Sequence, residues 1–184
     1  MKIYTAPEIY KREANDICIF LAGGITNCDN WQDTVIDRLS KSSSNNNMVV
    51  FNPRRDNFPI GNPNESVKQI TWEFKYIEES DIFSMYFCNA NSDQPICMYE
   101  LGRNIVRMQE KYPNSWQDRI IITVEPGYKR AKDVEIQVAL ATNGKLKIRD
   151  DINVHAAAIG AAYAIINSAN NKESLLDLTD NYII

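Results

Sequence analysis

Glu100 closes the stretch Pro95-Ile96-Cys97-Met98-Tyr99-Glu100 and precedes Leu101-Gly102. An apolar run at 82–87 lies upstream, and a helical pattern with Leu101, Ile105 and Met108 on one side begins at Pro95. This arrangement predicts a strand, a loop and then a helix with Glu100 in its first turn. Open α/β sheets bind ligands just beyond the carboxyl ends of their strands. A helix N-terminus carries partial positive charge and favours an ionised carboxylate. Such a Glu can attack a sugar carbon as a nucleophile. Glu also favours first turns for helix stability alone, so the assignment depends on what surrounds it.

Few other residues compete for chemistry. His155 is the one histidine, and it lies in an Ala-rich apolar segment, 154–166, that reads as a buried or interface helix. A structural role is expected for it, and no multi-His metal site can form. The four cysteines, Cys18, Cys28, Cys88 and Cys97, form no C-x-x-C pair. Cys18 and Cys88 fall in strand-like runs and read as core thiols. No metal and no cofactor are expected, which leaves carboxylates as the catalytic groups.

The 184 residues, 44% hydrophobic and 24% charged, fit a single globular domain over 1–184, with 1–16 and 170–184 as peripheral extensions. A net charge of −4 argues against binding a nucleic-acid polymer. The N-terminus lacks a signal-peptide core, and the longest apolar patch, 156–166, is too short for a membrane span. A cytoplasmic location and no membrane partner are expected. The Ala-rich helix suits close helix packing, so a homo-oligomer is expected; the tail Asp180-Asn181-Tyr182-Ile183-Ile184 either reaches a second subunit or packs on its own.

The elements that must position Glu100 alternate along the chain. Strands are expected at 17–22, 48–51, 82–87, 119–124 and around 145–148. Residues 1–16 read as a surface extension or edge piece. Asp29 or Asn30 can cap a helix with Trp31, Val35, Ile36 and Leu39 on one face. A long loop from 53 to 65 precedes a helix from Ser66, with Ile70, Phe74 and Ile77 at helical spacing. Connections too long for hairpins predict an α/β, doubly wound parallel sheet of about five strands with helices on both faces.

Three segments then converge at the carboxyl edge: Gly23-Gly24-Ile25-Thr26-Asn27, Asn52-Pro53-Arg54-Arg55-Asp56, and 89–100 with Asp93 and Glu100. Gly23 and Gly24 either let backbone approach a ligand or make a tight turn. Arg54 and Arg55 are either solvated loop charges or bidentate ligands of a 5′-phosphate. Glu73 borders an apolar helix face and can join the site from the side. Trp72 reads as core packing, and Asp81 as a helix-terminating residue or a support for the site.

The ordered set of pieces resembles the nucleoside 2-deoxyribosyltransferase-like family. The matching residues are Phe20-Leu21-Ala22-Gly23-Gly24-Ile25, Trp31, Asn52-Pro53-Arg54-Arg55-Asp56, Gln69-Ile70-Thr71-Trp72-Glu73, Ser80-Asp81-Ile82, and Pro95-Ile96 through Glu100-Leu101-Gly102. The resemblance covers about 17–130 and implies a flavodoxin-like sheet and glycosyl transfer at C1′ of a nucleoside or nucleoside 5′-monophosphate. It implies Glu100 as the nucleophile of a glycosyl-enzyme intermediate. It implies Glu73, eight positions before Asp81, as the acid on the base side, with Asp93 as a further base-side acid. Gly23, Gly24, Ile25, Asn52, Arg54, Arg55 and Asp81 complete the implied substrate site. Members often place a Tyr where this chain has Phe20, to hydrogen-bond the nucleophile; Tyr76, Tyr86 or Tyr99 are candidates to replace it. The rival readings are a non-catalytic nucleotide-binding or sensing module that keeps the pocket, and a flavin or phosphosugar binder on the same sheet.

Overall fold

Six parallel strands form one sheet in the order β1-β3-β2-β4-β5-β6. They are β1 (Lys2–Thr5), β2 (Ile17–Gly23), β3 (Met48–Asn52), β4 (Ile82–Phe87), β5 (Ile120–Val124) and β6 (Ile148–Arg149). The structure, a computed structural model, describes residues 1–42, 45–59 and 61–180, and side chains as far as residue 172. Residues 181–184 of the tail noted above lie outside the described residues. Without the edge strand β1, the order is that of a flavodoxin-like fold. The sheet has one strand more than the five expected, because part of the segment read as a surface extension or edge piece pairs along β3 as the edge strand, Lys2 opposite Val49.

Each central strand is buried on both faces, which explains its unbroken apolar run. Alternate residues divide between two layers. Ile17, Ile19 and Leu21 of β2 pack with helix α1 (Trp31–Ser40) and helix α5 (Ile152–Asp180). Cys18, Phe20 and Ala22 face the other layer, helices α2 (Pro63–Glu79), α3 (Pro95–Lys111) and α4 (Ala131–Thr142). His155 of α5 is fully buried and ties two strands together, its Nε2 2.7 Å from Ser84 Oγ and its Nδ1 2.8 Å from Thr123 Oγ1. Burial pushes this imidazole down to about 3.

Two helices differ from the sequence expectation. Helix α2 starts at Pro63 after the cap Asn62, whose side chain accepts from Asn64 N–H, and not at Ser66. Its buried face is Gln69, Trp72, Tyr76 and Ile77, while Ile70 and Phe74 are 64% and 54% exposed. The reason is long-range: Trp72 Nε1 donates to Glu8 O and Tyr76 OH accepts from Tyr10 N–H, both at 2.7 Å. Helix α5 is long and apolar enough over Ile152–Lys172 to cross a membrane by length and composition, where the sequence reading found no such stretch. Its Ala156, Ile159, Ala162, Tyr163 and Ile166 are buried in the layer against β2, β4 and α1.

β2 and β4 are neighbours, and the connection after β2 runs to β3 on one side while that after β4 runs to β5 on the other. That is the topological switch point, where the carboxyl ends of the two strands diverge and leave a crevice.

Candidate active site

A cavity of about 230 Å³ occupies this crevice. Phe20 and Ala22 of β2 reach it, Gly23-Gly24-Ile25-Thr26 forms one wall, and Pro53 follows from β3. Glu73 enters from α2, and Ser92, Gln94, Cys97 and Glu100 come from the segment after β4. The cavity lining contains two carboxylates and no Lys, Arg or His among the described residues.

The glycine wall is dictated by crowding. A Cβ on Gly23, whose φ is +154°, would sit 2.3 Å from Tyr86 O and 2.7 Å from Trp31. A Cβ on Gly24 would sit 2.5 Å from Gln94 Oε1 and 2.7 Å from Cys28 Sγ. Trp31 Nε1 donates to Gly24 O at 2.9 Å and fixes the turn from the other side. Gln94 holds the opposing wall. It adopts a left-handed backbone, φ +48°. Its amide accepts from Cys88 N–H at 3.2 Å and donates to Cys88 O at 2.8 Å. Sequence reasoning missed Gln94, since nothing local distinguishes it.

Glu100 lies in the second turn of α3, because Pro95 is the first helical residue and the first turn holds no acid. The macrodipole acts mainly within the first turn, so the expected helix-end stabilisation does not hold here. Burial, then the charge of Glu73, pushes the Glu100 carboxyl up to about 7, against a smaller pull from Arg103. Glu73 is raised too, by burial, with its hydrogen bond from Gln69 opposing. Gln69 Nε2 donates to Glu73 Oε1 at 2.9 Å and to Pro53 O at 2.7 Å, and so orients the carboxylate against the β3 loop. Two interacting, desolvated carboxyls titrate as a pair, and both are held above the usual carboxylate range.

Phe20 packs against Trp72 at a centroid distance of 6.1 Å and offers no hydroxyl. The tyrosines considered as replacements are elsewhere: Tyr76 OH serves Tyr10 N–H, Tyr86 OH donates to Glu125 at 2.6 Å, and Tyr99 is 66% exposed. Among the described residues no hydrogen bond or ion pair engages the Glu100 carboxylate; Asn104 Nδ2 donates to its backbone oxygen instead.

The other expected site residues are engaged away from the cavity. Arg54 donates to the carbonyls of Asp29, Ile25 and Cys28 at 2.7–2.8 Å and so braces the loop after β2. Arg55 pairs with Glu65 at 3.0 Å and stacks over Phe58. Buried Asn52 accepts from Arg54 N–H at 3.0 Å. Asp93 is exposed and pairs with Lys129 at 2.8 Å. Asp81 stands at the opposite, amino end of β4, where it accepts from Arg12 at 2.6 Å, Cys18 N–H at 2.9 Å and Tyr112 OH at 2.9 Å. Its role there is to tie α3 and the N-terminal segment to the sheet.

The model of the family described as nucleoside 2-deoxyribosyltransferase like matches residues 16–112. The chain belongs to the nucleoside 2-deoxyribosyltransferase-like family. The matched stretch runs from just before β2 to just after α3 and contains every cavity residue named above. No curated protein matches the chain. The cavity, whose named lining falls within the matched stretch, lies at the position where open α/β sheets bind ligands.

Proposed function

We propose that the protein cleaves or transfers the N-glycosidic bond of a nucleoside, with Glu100 as nucleophile and Glu73 on the base side. The observation that carries this reading is the pair of desolvated carboxyls facing one cavity at the switch point. Glu100 in its ionised form attacks C1′; the C1′–O bond forms as the C1′–N bond breaks, and the electron pair leaves with the base. Glu73 in its protonated form delivers its proton to the departing base nitrogen. In the second step water or another base attacks C1′, Glu73 takes back a proton, and the Glu100 ester bond breaks. Two displacements return the starting stereochemistry at C1′.

The charge of the cavity favours an unphosphorylated nucleoside over a 5′-monophosphate. A phosphate dianion would face two carboxylates and no lining cation, since Arg54 and Arg55 are engaged by carbonyls and Glu65. Incubation of nucleosides and their 5′-monophosphates with wild type and Glu100→Gln, followed by HPLC, tests the reading. Release or exchange of base from nucleosides by wild type alone is expected. Turnover that survives Glu100→Gln contradicts it.

A binding-only module is the second reading, favoured by the unpartnered Glu100 carboxylate and by Phe20 in the hydroxyl position. It predicts nucleoside-dependent thermal stabilisation with no product after long incubation.

A further inference from the structure

Resting on the reading of Glu73 as the acid on the base side, we propose that Gln69 is a positioning residue that makes Oε1 of Glu73 a permanent acceptor and so reserves Oε2 for the proton given to the base. Gln69 stands four positions before Glu73 on α2, and therefore on the same face. It lies behind the cavity wall, only 9% exposed, while the two residues it touches, Glu73 and Pro53, line the cavity. Its Nε2 donates to Glu73 Oε1 at 2.9 Å and to Pro53 O at 2.7 Å. The amide thus bridges the helix that carries the acid and the loop that follows β3.

Which way the amide faces is set by a group that never titrates. Pro53 O is a carbonyl and can only accept, and an amide carries both of its hydrogens on nitrogen. Turning the amide over would set Gln69 Oε1 against Pro53 O, two acceptors with no hydrogen between them. The observed orientation has a cost of its own, since Gln69 Oε1 is buried with no hydrogen-bond partner among the described residues. Both amide hydrogens are in use, one on the loop and one on the acid. Glu73 Oε1 therefore meets an N–H whether the carboxyl is ionised or not, and the proton of the neutral form sits on Oε2. Among the described residues no hydrogen bond or ion pair engages Oε2, which leaves it to a ligand in the cavity. The electron pair that leaves C1′ with the base takes the proton from Oε2. The O–H pair stays behind as the carboxylate charge, and the bond from Gln69 strengthens as its acceptor becomes charged.

Two measurements on the full chain test the assignment. The first is infrared spectroscopy of the protonated Glu73 carboxyl in acid-minus-alkaline difference spectra, its C=O stretch assigned as the band absent from Glu73→Gln. Gln69→Met nearly keeps the side-chain length and removes the donor, so it is expected to move that band to higher frequency. An unmoved band overturns the proposal. The second is HPLC of base release from the four common 2′-deoxynucleosides. Gln69→Met is expected to lower kcat by about 10–100-fold with KM within about twofold, as a misplaced acid would. In the Glu73→Gln background the same substitution is expected to change kcat by less than about twofold, because the two residues act as a unit. A Gln69 that merely props the loop after β3 would lower kcat by the same factor in both backgrounds, as would a chain that failed to fold, and that result overturns the proposal. Failure of the base-side reading is separate: it appears as an unchanged kcat in Glu73→Gln alone, whatever the infrared band shows.

Discussion

Replacing Glu100 by Gln should stabilise the protein, and only at neutral and alkaline pH. The folded Glu100 carboxyl titrates near 7, against 4.5 for an unperturbed one. Below pH 4.5 it is protonated in both folded and unfolded chains, and the folded state gains from holding that proton. Between 4.5 and 7 the unfolded chain ionises first, so stability drains as pH rises, and above 7 the loss is complete. The full difference corresponds to about 3 kcal/mol. Solvent at the cavity mouth screens part of it, so about 1–3 kcal/mol is expected. Gln has nearly the shape of the protonated acid, and no hydrogen bond of the Glu100 carboxyl is lost with the change. For a chain of this size that gain raises Tm by roughly 2–12 °C. Urea or thermal unfolding of wild type and Glu100→Gln at pH 4.5 and pH 8.5 measures it directly. Near-equal stability at the lower pH and a more stable variant at the higher pH are expected. A variant less stable than wild type at pH 8.5, or a gain as large at pH 4.5, would refute the reasoning.

Three further perturbations separate chemistry from scaffold. Glu73→Gln removes the like charge facing Glu100, so the acid limb of the kcat/KM profile should move to lower pH; loss of the base-side acid should cut kcat by about 10²–10⁴. His155 stays neutral in the fold because burial holds it near 3, whereas the unfolded imidazole takes a proton near 6.5. Stability should therefore fall by up to about 1.4 kcal/mol per pH unit as pH drops below 6.5, and His155→Leu should flatten that slope in pH-dependent urea titrations. Asp81→Asn should cost about 1–3 kcal/mol in unfolding experiments by weakening the charge-assisted bond from Arg12, which keeps its bonds to the Glu79 and Asp16 carbonyls, while the KM for nucleoside stays within twofold or so.

The order of elements, the parallel sheet and the edge on which the cavity forms could be read from the chain, because buried strands write themselves as apolar runs between glycine and proline stops. β1 escaped: four residues, Lys2–Thr5, alternate too briefly to signal a strand. Helix α2 carries two apolar stripes, and local pattern favoured Ile70, Phe74 and Ile77 over Trp72 and Tyr76. What decides between them is a pair of hydrogen bonds to Glu8 and Tyr10, more than sixty residues away. The rotation brings Gln69 onto the buried side beside Glu73. Arg54 and Arg55 had the right location in the chain, but whether an Arg is free for a ligand depends on carbonyls and carboxylates that only folding brings near. A shift of one helical turn likewise changed the physics of Glu100, from a carboxylate expected to be favoured by a helix end to one raised by burial and by Glu73.

Covalent trapping tests the central claim most directly. A nucleoside bearing fluorine at C2′ disfavours the oxocarbenium-like transition states and slows breakdown of a glycosyl-enzyme ester. Intact mass spectrometry after incubation, followed by peptide mapping, locates any adduct. The account predicts a mass increase equal to one fluorosugar residue, on the peptide carrying Glu100, and none in Glu100→Gln. Base release with no adduct on Glu100, or an adduct that persists in Glu100→Gln, would contradict it.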